Sequence, residues 1–345
     1  MLLYKTIFIV GAGASTDYGL PVGQTLSKNI ATLLRHIPDP SRSARGALQE
    51  AIDCHAHQTK RPASDLFRKA KEIASALPQA PSVDAYIENM AHDSDIAVLG
   101  KLGIAACLLD TERGCPLFVD QRKDLDSLDH SRLSDTWLGK LFRILVEGHT
   151  IKTFGNMFES AAFVVFNYDR CIEQYFKYAI SNYFRVPLSK SYEVVRRMRL
   201  VRPYGSLGQL VDEHGSTFGG NGPRGTVHAE QLLTIAKDIR TYSEYIDDDV
   251  EIEQARSLLY QAKATVYLGF AFHRQNVKLL EKIMPKGRNL TLATVLGIPE
   301  PAHSIVRQDI ARIVGQRSAS ASPLTLAASE CAPFIDDYRL LLSHR

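Results

Sequence analysis

The sequence lacks the paired cysteines of a zinc ribbon or a disulfide framework. Its five cysteines are odd in number and scattered, and no two have the C-x-x-C spacing of a zinc site or redox motif. It also lacks a long apolar run, since the stretch from Ile7 to Val10 is far too short to cross a membrane. No basic segment with a cleavage site stands at the N-terminus. We therefore expect a cytoplasmic protein with free thiols, no bound metal and no membrane association.

A strong charge of either sign is missing as well. The formal net charge at pH 7 is +3, which by itself does not argue for nucleic-acid binding. The basic run from Arg196 to Arg199 is more typical of a solvated helix or strand edge than of a polyanion site. Hydrophobic residues make up 45% of the chain, enough for a substantial buried core. The composition therefore indicates a globular protein and gives no sign of direct nucleic-acid binding.

Strand-like and helix-like patterns alternate along much of the chain. The β-branched and aromatic run from Tyr4 to Val10 predicts a buried strand that ends at Gly11. Further strands are predicted at 161–166, 199–203, 264–268 and 289–295, and helices at 22–34, 170–183, 229–239, 253–262 and 276–283. This order predicts an α/β, Rossmann-like fold with a mainly parallel sheet and helices on both faces.

The same patterns suggest how the chain is divided. Residues 38–150 show mostly helical spacing and few strand-like runs, so they are predicted to form a large helical insertion subdomain. Residues 1–37 and 151–300 then form the Rossmann-like nucleotide-binding domain, and residues 301–345 a helical C-terminal segment. Ligands of such sheets bind at the carboxyl ends of the strands, where the candidate motifs lie.

The first of these motifs is the glycine-rich loop Gly11-Ala12-Gly13-Ala14-Ser15, which follows the first strand. Glycine permits a tight turn and lets the backbone approach a phosphate closely, and Ser15 or Thr16 could add a hydroxyl donor. A dehydrogenase fingerprint would have a third glycine at position 16 and an acid-ended strand about 20 residues later, and both are absent. The loop therefore predicts nucleotide binding of another kind, with a ligand-free turn as the alternative.

Several motifs, in the same order along the chain, resemble those of sirtuin-like domains. They are the glycine loop with Gly19-Leu20-Pro21-Val22-Gly23, then Ser82-Val83-Asp84-Ala85-Tyr86-Ile87-Glu88, Phe166-Asn167-Tyr168-Asp169, Pro203-Tyr204-Gly205-Ser206-Leu207, and Leu268-Gly269-Phe270-Ala271-Phe272 with Asn276. The second is similar to a motif in the helical part of bacterial members. One such motif is weak, but several in order make the resemblance fairly specific.

The resemblance implies one branch of this family. Its deacylases usually carry a zinc ribbon with two C-x-x-C pairs, which this chain lacks. Bacterial anti-phage members lack the ribbon, carry helical insertions and hydrolyse NAD. The resemblance therefore implies an NAD glycohydrolase in abortive anti-phage defence, with NAD as its substrate. It also implies a partner protein such as a HerA-type ATPase, because the chain has no obvious fused sensor. Since a toxic activity needs restraint, we further expect a homo-oligomer or a bound partner to complete or uncover the site.

The site residues follow from the same motifs. Asn167 is expected to hold the ribose, since an amide donates and accepts hydrogen bonds without adding charge. Asp169 could orient Asn167, hold a ribose hydroxyl or stabilise developing positive charge. The simpler role for both is a cap on the next helix. The residues expected to bind NAD are Gly11, Ala12, Gly13, Ser15, Asp84, Gly205, Gly269, Phe270 and Asn276.

The main departure from the family is at its histidine, where this chain has Tyr204 or, in a shifted alignment, Arg202. A tyrosine is a poor base at neutral pH unless its pKa is strongly perturbed. Three explanations stay open: Tyr204 only positions the reactants, another histidine (His214, His228 or His273) acts, or the chain binds nucleotide without cleaving it. The rival functions are therefore a non-catalytic nucleotide-binding scaffold subunit, a deacylase and, more distantly, a nuclease.

Overall fold

A six-stranded, all-parallel sheet forms the centre of the molecule in the computed structural model. The structure describes residues 1–37, 43–120, 128–210, 218–220, 226–244, 249–281, 289–315 and 323–343. The strands are β1 (Thr6–Val10), β2 (Ala161–Val165), β3 (Arg199–Val201), β4 (Ala264–Leu268), β5 (Leu290–Thr294) and β6 (Leu324–Ala327). Their order across the sheet is β3-β2-β1-β4-β5-β6. The α/β, Rossmann-like fold predicted from the sequence is confirmed.

Helices pack on both faces of this sheet. The helices are α1 (Gly23–Arg35), α2 (Ser43–Thr59), α3 (Ala63–Ala76), α4 (Val83–Asn89), α5 (Ser94–Gly114), α6 (His130–Leu133), α7 (Trp137–Val146), α8 (Cys171–Phe184), α9 (Leu188–Arg196), α10 (Ala229–Asp238), α11 (Val250–Gln261), α12 (Arg274–Leu280), α13 (His303–Ile313), α14 (Cys331–Asp337) and α15 (Arg339–Leu342). In the described residues, none of these is long and apolar enough to span a bilayer.

Strand β1 lies at the centre, hydrogen-bonded to β2 on one side and β4 on the other. All five of its residues are buried, because alternate side chains enter the cores on opposite faces. Phe8 and Val10 join the core formed with α7, α8 and α14, and Ile7 and Ile9 join the core formed with α11, α12 and α13. The continuous apolar run that predicted this strand is thus explained by burial on both faces.

A third core lies in a separate helical layer. Helices α1 to α5 and α10 share it, and α5 lies at its centre with apolar residues buried around its whole circumference. Helix α7, in contrast, packs against the sheet through Leu138 and Leu141. The helical layer therefore takes in α1 and α10 and leaves out α7, whereas the predicted insertion covered residues 38–150.

The C-terminal segment corrects one expectation. Residues 301–345 were predicted to be helical, but Leu324–Ala327 form β6, which pairs with β5 at the edge of the sheet. All four β6 residues are half-buried, and although Leu324-Thr325-Leu326 alternates between apolar and polar side chains, a run of four residues is at the lower limit of length for identifying a strand. Helix α9, which was not predicted, follows the last turn of α8 closely and packs against it.

The strand order places a switch point between β1 and β4. From β1 the chain proceeds outward through β2 and β3, and it then returns to the other side of β1 to form β4, β5 and β6. In open parallel sheets of this kind, ligands bind in the crevice that opens outside the carboxyl ends of the strands at the switch point. The loops after β1, β2 and β4 are therefore the place to look for a site.

Candidate functional site at the carboxyl edge of the sheet

The loops that follow β1 and β4 contact each other through their backbones. The Gly11 N–H donates to the Leu268 carbonyl at 2.9 Å, and the Gly13 N–H donates to the Gly269 carbonyl at 3.1 Å. The Ala14 N–H donates back to the Gly11 carbonyl at 3.0 Å. The two loops thus form one unit at the switch point, and Ala12 is the residue of the glycine loop that is exposed.

This contact explains why the loops need glycine. A Cβ on Gly11 would lie 2.5 Å from the Gly269 carbonyl oxygen, and one on Gly269 would lie 2.2 Å from the Ala14 nitrogen. Gly269 also has a φ of +58°, in the left-handed region that L-residues rarely adopt. A Cβ on Gly13 would meet the Gly269 Cα at 2.9 Å. The glycines are therefore required for packing, whether or not a phosphate binds beside them.

A buried hydrogen-bonded chain connects Asn167, Ser15 and Asp169. The Asn167 Nδ2 donates to the Ser15 Oγ at 2.8 Å and to the Gly11 carbonyl at 3.1 Å. The Ser15 Oγ donates to the Asp169 Oδ2 at 2.7 Å. All three side chains are buried. The structure therefore brings together the glycine loop and the Phe166-Asn167-Tyr168-Asp169 motif, whose bonded residues lie 152 and 154 positions apart.

The amide oxygen of Asn167 has no hydrogen-bond partner among the described residues. The Asn167 Oδ1 is buried and accepts no hydrogen bond from the described residues, while both hydrogens of the amide nitrogen are used. Leaving a buried polar atom unsatisfied costs about 1–3 kcal/mol. A carbonyl oxygen fixed in this way, at the switch point of a parallel sheet, is suited to accept a hydrogen bond from a ligand hydroxyl.

Asp169 also has a structural role. Its Oδ1 accepts a hydrogen bond from the N–H of Cys171, the first residue of α8, at 3.1 Å. The predicted helix-start role thus fits Asp169, although Arg170 is the N-cap residue, and does not fit Asn167, whose side chain bonds the glycine loop. The other oxygen of Asp169 belongs to the Ser15–Asn167 chain. The two roles are therefore compatible, because they use different oxygens of one carboxylate.

The structure identifies two supporting residues that the sequence did not single out for these roles. The Arg202 Nη1 donates to the Asn167 carbonyl at 2.8 Å, and the Arg202 guanidinium pairs with Glu173 at 2.7 Å. The Trp137 Nε1 donates to the Ala14 carbonyl at 2.8 Å, and its backbone N–H donates to Asp17. A single arginine or tryptophan gives no spacing signal, so these roles depend on contacts that only the fold creates.

Tyr204 is brought to the site but is unsuited to act as a base. Its hydroxyl donates to the Asn276 Oδ1 at 2.6 Å, and its ring packs edge-on against Phe166. Burial, with a smaller contribution from the nearby Asp84 carboxylate, raises the pKa of Tyr204 well above its usual range. The hydroxyl is therefore protonated at neutral pH. Its hydrogen bond holds the side chain of Asn276, on α12, in place.

The three candidate histidines differ in their positions. His214 lies outside the described residues. His228 is exposed at the start of α10, whose opposite end, roughly 15 Å away along the axis, meets the site at Gly205. His273 is exposed at the start of α12 and, in its protonated form, offsets part of the rise in the pKa of Asp84 that burial causes. Of the two described histidines, His273 is the one whose electrostatic effect reaches a predicted site residue.

The remaining predicted binding residues divide into backbone and core positions. Gly205 has a φ of +76°, and its Cβ would lie 2.0 Å from the Asp238 carbonyl oxygen, so glycine is required there by the end of α10. Phe270 is buried against Phe166 and Phe272, so its side chain belongs to the core. Only the backbone of these two residues can face a ligand.

Helix α4 brings the helical layer to this edge of the sheet. Ser82 caps the helix by accepting the Ala85 N–H at 3.1 Å. In the first turn of this helix, the Asp84 Oδ1 accepts a hydrogen bond from the Tyr168 hydroxyl at 2.5 Å. The Gln275 Nε2 donates to the Glu88 Oε2, also at 2.5 Å. The predicted residue Asp84 therefore contacts the loop after β2, and Glu88 contacts α12, which follows β4. The crevice expected at the switch point, called the cleft from here on, thus lies where the helical layer meets the carboxyl edge of the sheet.

Asp84 gives a prediction about stability. Burial raises the pKa of Asp84, and the Glu88 carboxylate adds to this effect, whereas the Tyr168 hydroxyl opposes it. The contribution of Asp84 to the free energy of unfolding is therefore fully present below the pKa that this group has in the unfolded chain, near 4. This contribution is lost as the pH rises through the higher pKa that Asp84 has in the folded protein. We expect Asp84→Asn, which still accepts from Tyr168, to raise the melting temperature at pH 7 by roughly 1–3 °C.

Thermal unfolding followed by circular dichroism at pH 4 and pH 7 checks this expectation. The exposed Asp53 on α2 supplies the matched control, and Asp53→Asn should leave the melting temperature unchanged at both pH values. A melting temperature for Asp84→Asn at or below that of the wild type at pH 7 contradicts the expected cost of the buried charge.

The described residues contain no group of three or more histidine, cysteine or acidic side chains placed to hold a metal ion. The cysteines are free thiols, and four of the five are buried. Burial raises the pKa of Cys107, Cys115 and Cys331 to about 12, so these thiols stay protonated at neutral pH. The site is thus built from amide, hydroxyl and carboxylate groups.

No family model matches the sequence, and no curated protein matches it.

Proposed function

We propose that the protein is an NAD glycohydrolase that cleaves NAD to nicotinamide and ADP-ribose. The observation that carries this proposal is the buried, unpartnered Asn167 Oδ1, held beside the glycine loop at the switch point of the sheet. A ribose hydroxyl would satisfy this oxygen by donating to it. The resemblance of the surrounding motifs to sirtuin-like domains suggests NAD as the nucleotide concerned.

Cleavage of NAD requires little general acid or general base catalysis. The nicotinamide ring of NAD is already positively charged, so breaking the bond between ribose C1′ and the ring nitrogen releases neutral nicotinamide. The transition state resembles an oxocarbenium ion, as in glycoside hydrolysis. Water then forms the new C1′–O bond and loses one proton to solvent. The enzyme must hold the ribose and stabilise the cation, which an amide beside a carboxylate can do.

The proposed roles follow from the contacts. Asn167 accepts from a ribose hydroxyl, and Asp169, linked to it through Ser15, stabilises the positive charge that develops at C1′. The exposed backbone at Ala12 is next to the phosphates, and Gly269 and Asn276 are on the adenosine side. Asp84 faces the nicotinamide end from the helical layer. Tyr204 positions Asn276 and transfers no proton.

One observation favours a second function, that of a non-catalytic nucleotide-binding subunit. Tyr204 stands at the position of the family histidine, and the raised pKa of its buried hydroxyl removes it as a base. Such a subunit would bind NAD through the same residues and regulate a partner without turnover. The two functions differ in one measurable quantity, which is the release of nicotinamide.

The biological setting is part of the proposal. The protein acts in abortive anti-phage defence in the cytoplasm, as a homo-oligomer together with a HerA-type ATPase or another partner. Because depletion of NAD is toxic, oligomerisation or partner binding restrains or completes the site. The gene beside this one and the nicotinamide released by the purified complex test this setting, and a fully active monomer contradicts it.

The test of the function is to incubate the purified chain with NAD, alone and with the product of its neighbouring gene, and to measure nicotinamide and ADP-ribose by chromatography. Ser15→Ala removes the hydroxyl between Asn167 and Asp169 and should slow release about tenfold, the effect of losing ~1.4 kcal/mol. The exposed Ser64 gives the control variant Ser64→Ala, which should match the wild type.

Two results speak against the hydrolase. NAD binding without nicotinamide release under any condition favours the regulatory subunit. The absence of both binding and release rejects NAD as the ligand.

A further inference from the structure

Tyr168 stands between Asn167 and Asp169 in the sequence but points to the other side of the loop. Asn167 and Asp169 face the glycine loop through Ser15, whereas the Tyr168 ring is buried in the core of the helical layer. Its backbone is fixed as well, because the Leu207 N–H donates to the Tyr168 carbonyl at 3.0 Å. One short loop after β2 thus contacts the sheet side and the helical side of the cleft at the same time.

The Tyr168 hydroxyl has two acceptors within reach and one hydrogen to donate. The Asp84 Oδ1 lies at 2.5 Å, and the Arg240 carbonyl lies at 3.4 Å. The shorter contact to a carboxylate is the stronger one, because a charged acceptor roughly doubles the strength of a hydrogen bond. The Asp84 carboxylate is therefore fixed by a residue of the sheet and not by its own helix alone.

The contact between Tyr168 and Asp84 belongs to a pair of bridges. Asp84 and Glu88 are four residues apart on α4, so they lie on the same face of that helix. Tyr168, after β2, holds the first, and Gln275, on α12, holds the second. Both bridges cross from the helical layer to the loops that carry the site residues.

We propose that Tyr168 is a positioning residue that holds the Asp84 carboxylate at the cleft, facing the nicotinamide end of bound NAD. This inference rests on the proposed function for the identity of the ligand, and on the observed contact for the role of Tyr168. Tyr168 itself touches no reacting atom. Its effect passes through Asp84, so it should alter recognition of nicotinamide and leave recognition of ADP-ribose intact.

The charged groups around Asp84 determine what a change at Tyr168 does. Glu88 on the same helix raises the pKa of Asp84, and His273 at the start of α12 lowers it. The Arg240 guanidinium is paired with Asp249 and Glu251, so only its backbone carbonyl approaches the Tyr168 hydroxyl. Because the Tyr168 hydroxyl lowers the pKa of Asp84, its removal should raise that pKa.

The experiment compares Tyr168→Phe with Tyr267→Phe in the full chain. Tyr267 is a suitable control, since it is fully buried and its hydroxyl has no hydrogen-bond partner among the described residues. We expect Tyr168→Phe to raise the pKa of Asp84, measured by NMR of labelled carboxyl carbons. It should also weaken NAD binding about tenfold and change ADP-ribose binding less than twofold. Tyr267→Phe should change none of these quantities.

The variant Asp84→Asn gives a second test of the proposal that does not depend on the folding of Tyr168→Phe. Asp84→Asn should weaken NAD binding and spare ADP-ribose, and in the double variant the loss should be smaller than the sum of the two single losses. The proposal is overturned when the pKa of Asp84 is the same in Tyr168→Phe as in the wild type, or when NAD and ADP-ribose affinities fall by the same factor. Failure of the proposed function looks different, because wild-type protein then binds neither ligand while the pKa of Asp84 still responds to Tyr168.

Discussion

Replacing Asn167 with alanine is expected to lower the rate of nicotinamide release by roughly 100-fold or more, the effect of removing one oriented group that stabilises a transition state. The variant loses the Oδ1 that would accept from the ribose and the Nδ2 that orders Ser15 and the Gly11 carbonyl. Asp169 then keeps its cap contact with the Cys171 N–H but loses its link to the ribose.

The measurement is a comparison of kcat and KM for NAD between the two proteins. A fall confined to kcat indicates an interaction made in the transition state, and a rise confined to KM indicates ground-state binding. Asn182, exposed on α8, supplies the matched control, and Asn182→Ala should retain the wild-type values. Wild-type turnover by Asn167→Ala contradicts the role of the amide and with it the mechanism.

Replacing Gly269 with alanine is expected to destabilise the fold by about 3 kcal/mol or more. The left-handed backbone costs an alanine roughly 1–2 kcal/mol, and the new Cβ would overlap the Ala14 nitrogen and the Gly13 carbonyl carbon at 2.2 and 2.4 Å. Both obstacles are backbone atoms, so relief requires the two loops to separate. The variant should therefore lose ligand binding together with stability.

Urea unfolding gives the free energy directly, and a second glycine provides a control of opposite sign. Gly46 lies within α2 with open space around its Cα, so Gly46→Ala should stabilise the protein by up to about 1 kcal/mol through helix propensity. A free energy of unfolding for Gly269→Ala equal to that of the wild type would contradict the prediction. It would mean that the two loops separate without cost and that the contacts between them do not stabilise the fold.

The sheet could be predicted because its strands are governed by local patterns. β1, β2 and β4 are buried on both faces, so each is a short apolar run that ends at the loop where a site residue follows. β6 was missed because an edge strand of four half-buried residues has no such run. The assignment of α1 and α10 to the helical layer depends on packing between distant segments, which periodicity does not encode.

The site shows the same division between local and long-range information. Asn167 and Ser15 were identified because each lies just after a predicted strand, and parallel strands bring their carboxyl ends to one edge. Tyr168, which links the two layers, was not given a role, because a buried aromatic residue in a sequence indicates core first. Its hydrogen bond to Asp84 joins the loop after β2 to helix α4, 84 residues earlier in the chain, and no spacing rule predicts such a pair.

Tyr204 shows how the structure changes the meaning of a predicted position. The sequence left open whether this tyrosine positions the reactants or stands where a base is missing. Its contact with Asn276 and its raised pKa give it a positioning role and remove it as a base. The proposed hydrolysis therefore depends on stabilising the oxocarbenium-like ribose, which is the proposed role of Asn167 and Asp169.

The central position of β1 also has a consequence for biosynthesis. This strand is synthesised well before the strands that pair with it, which begin at Ala161 and Ala264. At synthesis rates of about 5–20 residues per second, roughly 8–30 s pass before its first partner leaves the ribosome. During that interval the run from Ile7 to Val10 has neither of the neighbours that bury it. We therefore expect the nascent chain to depend on chaperones, and its soluble yield to rise when translation is slowed by cooling.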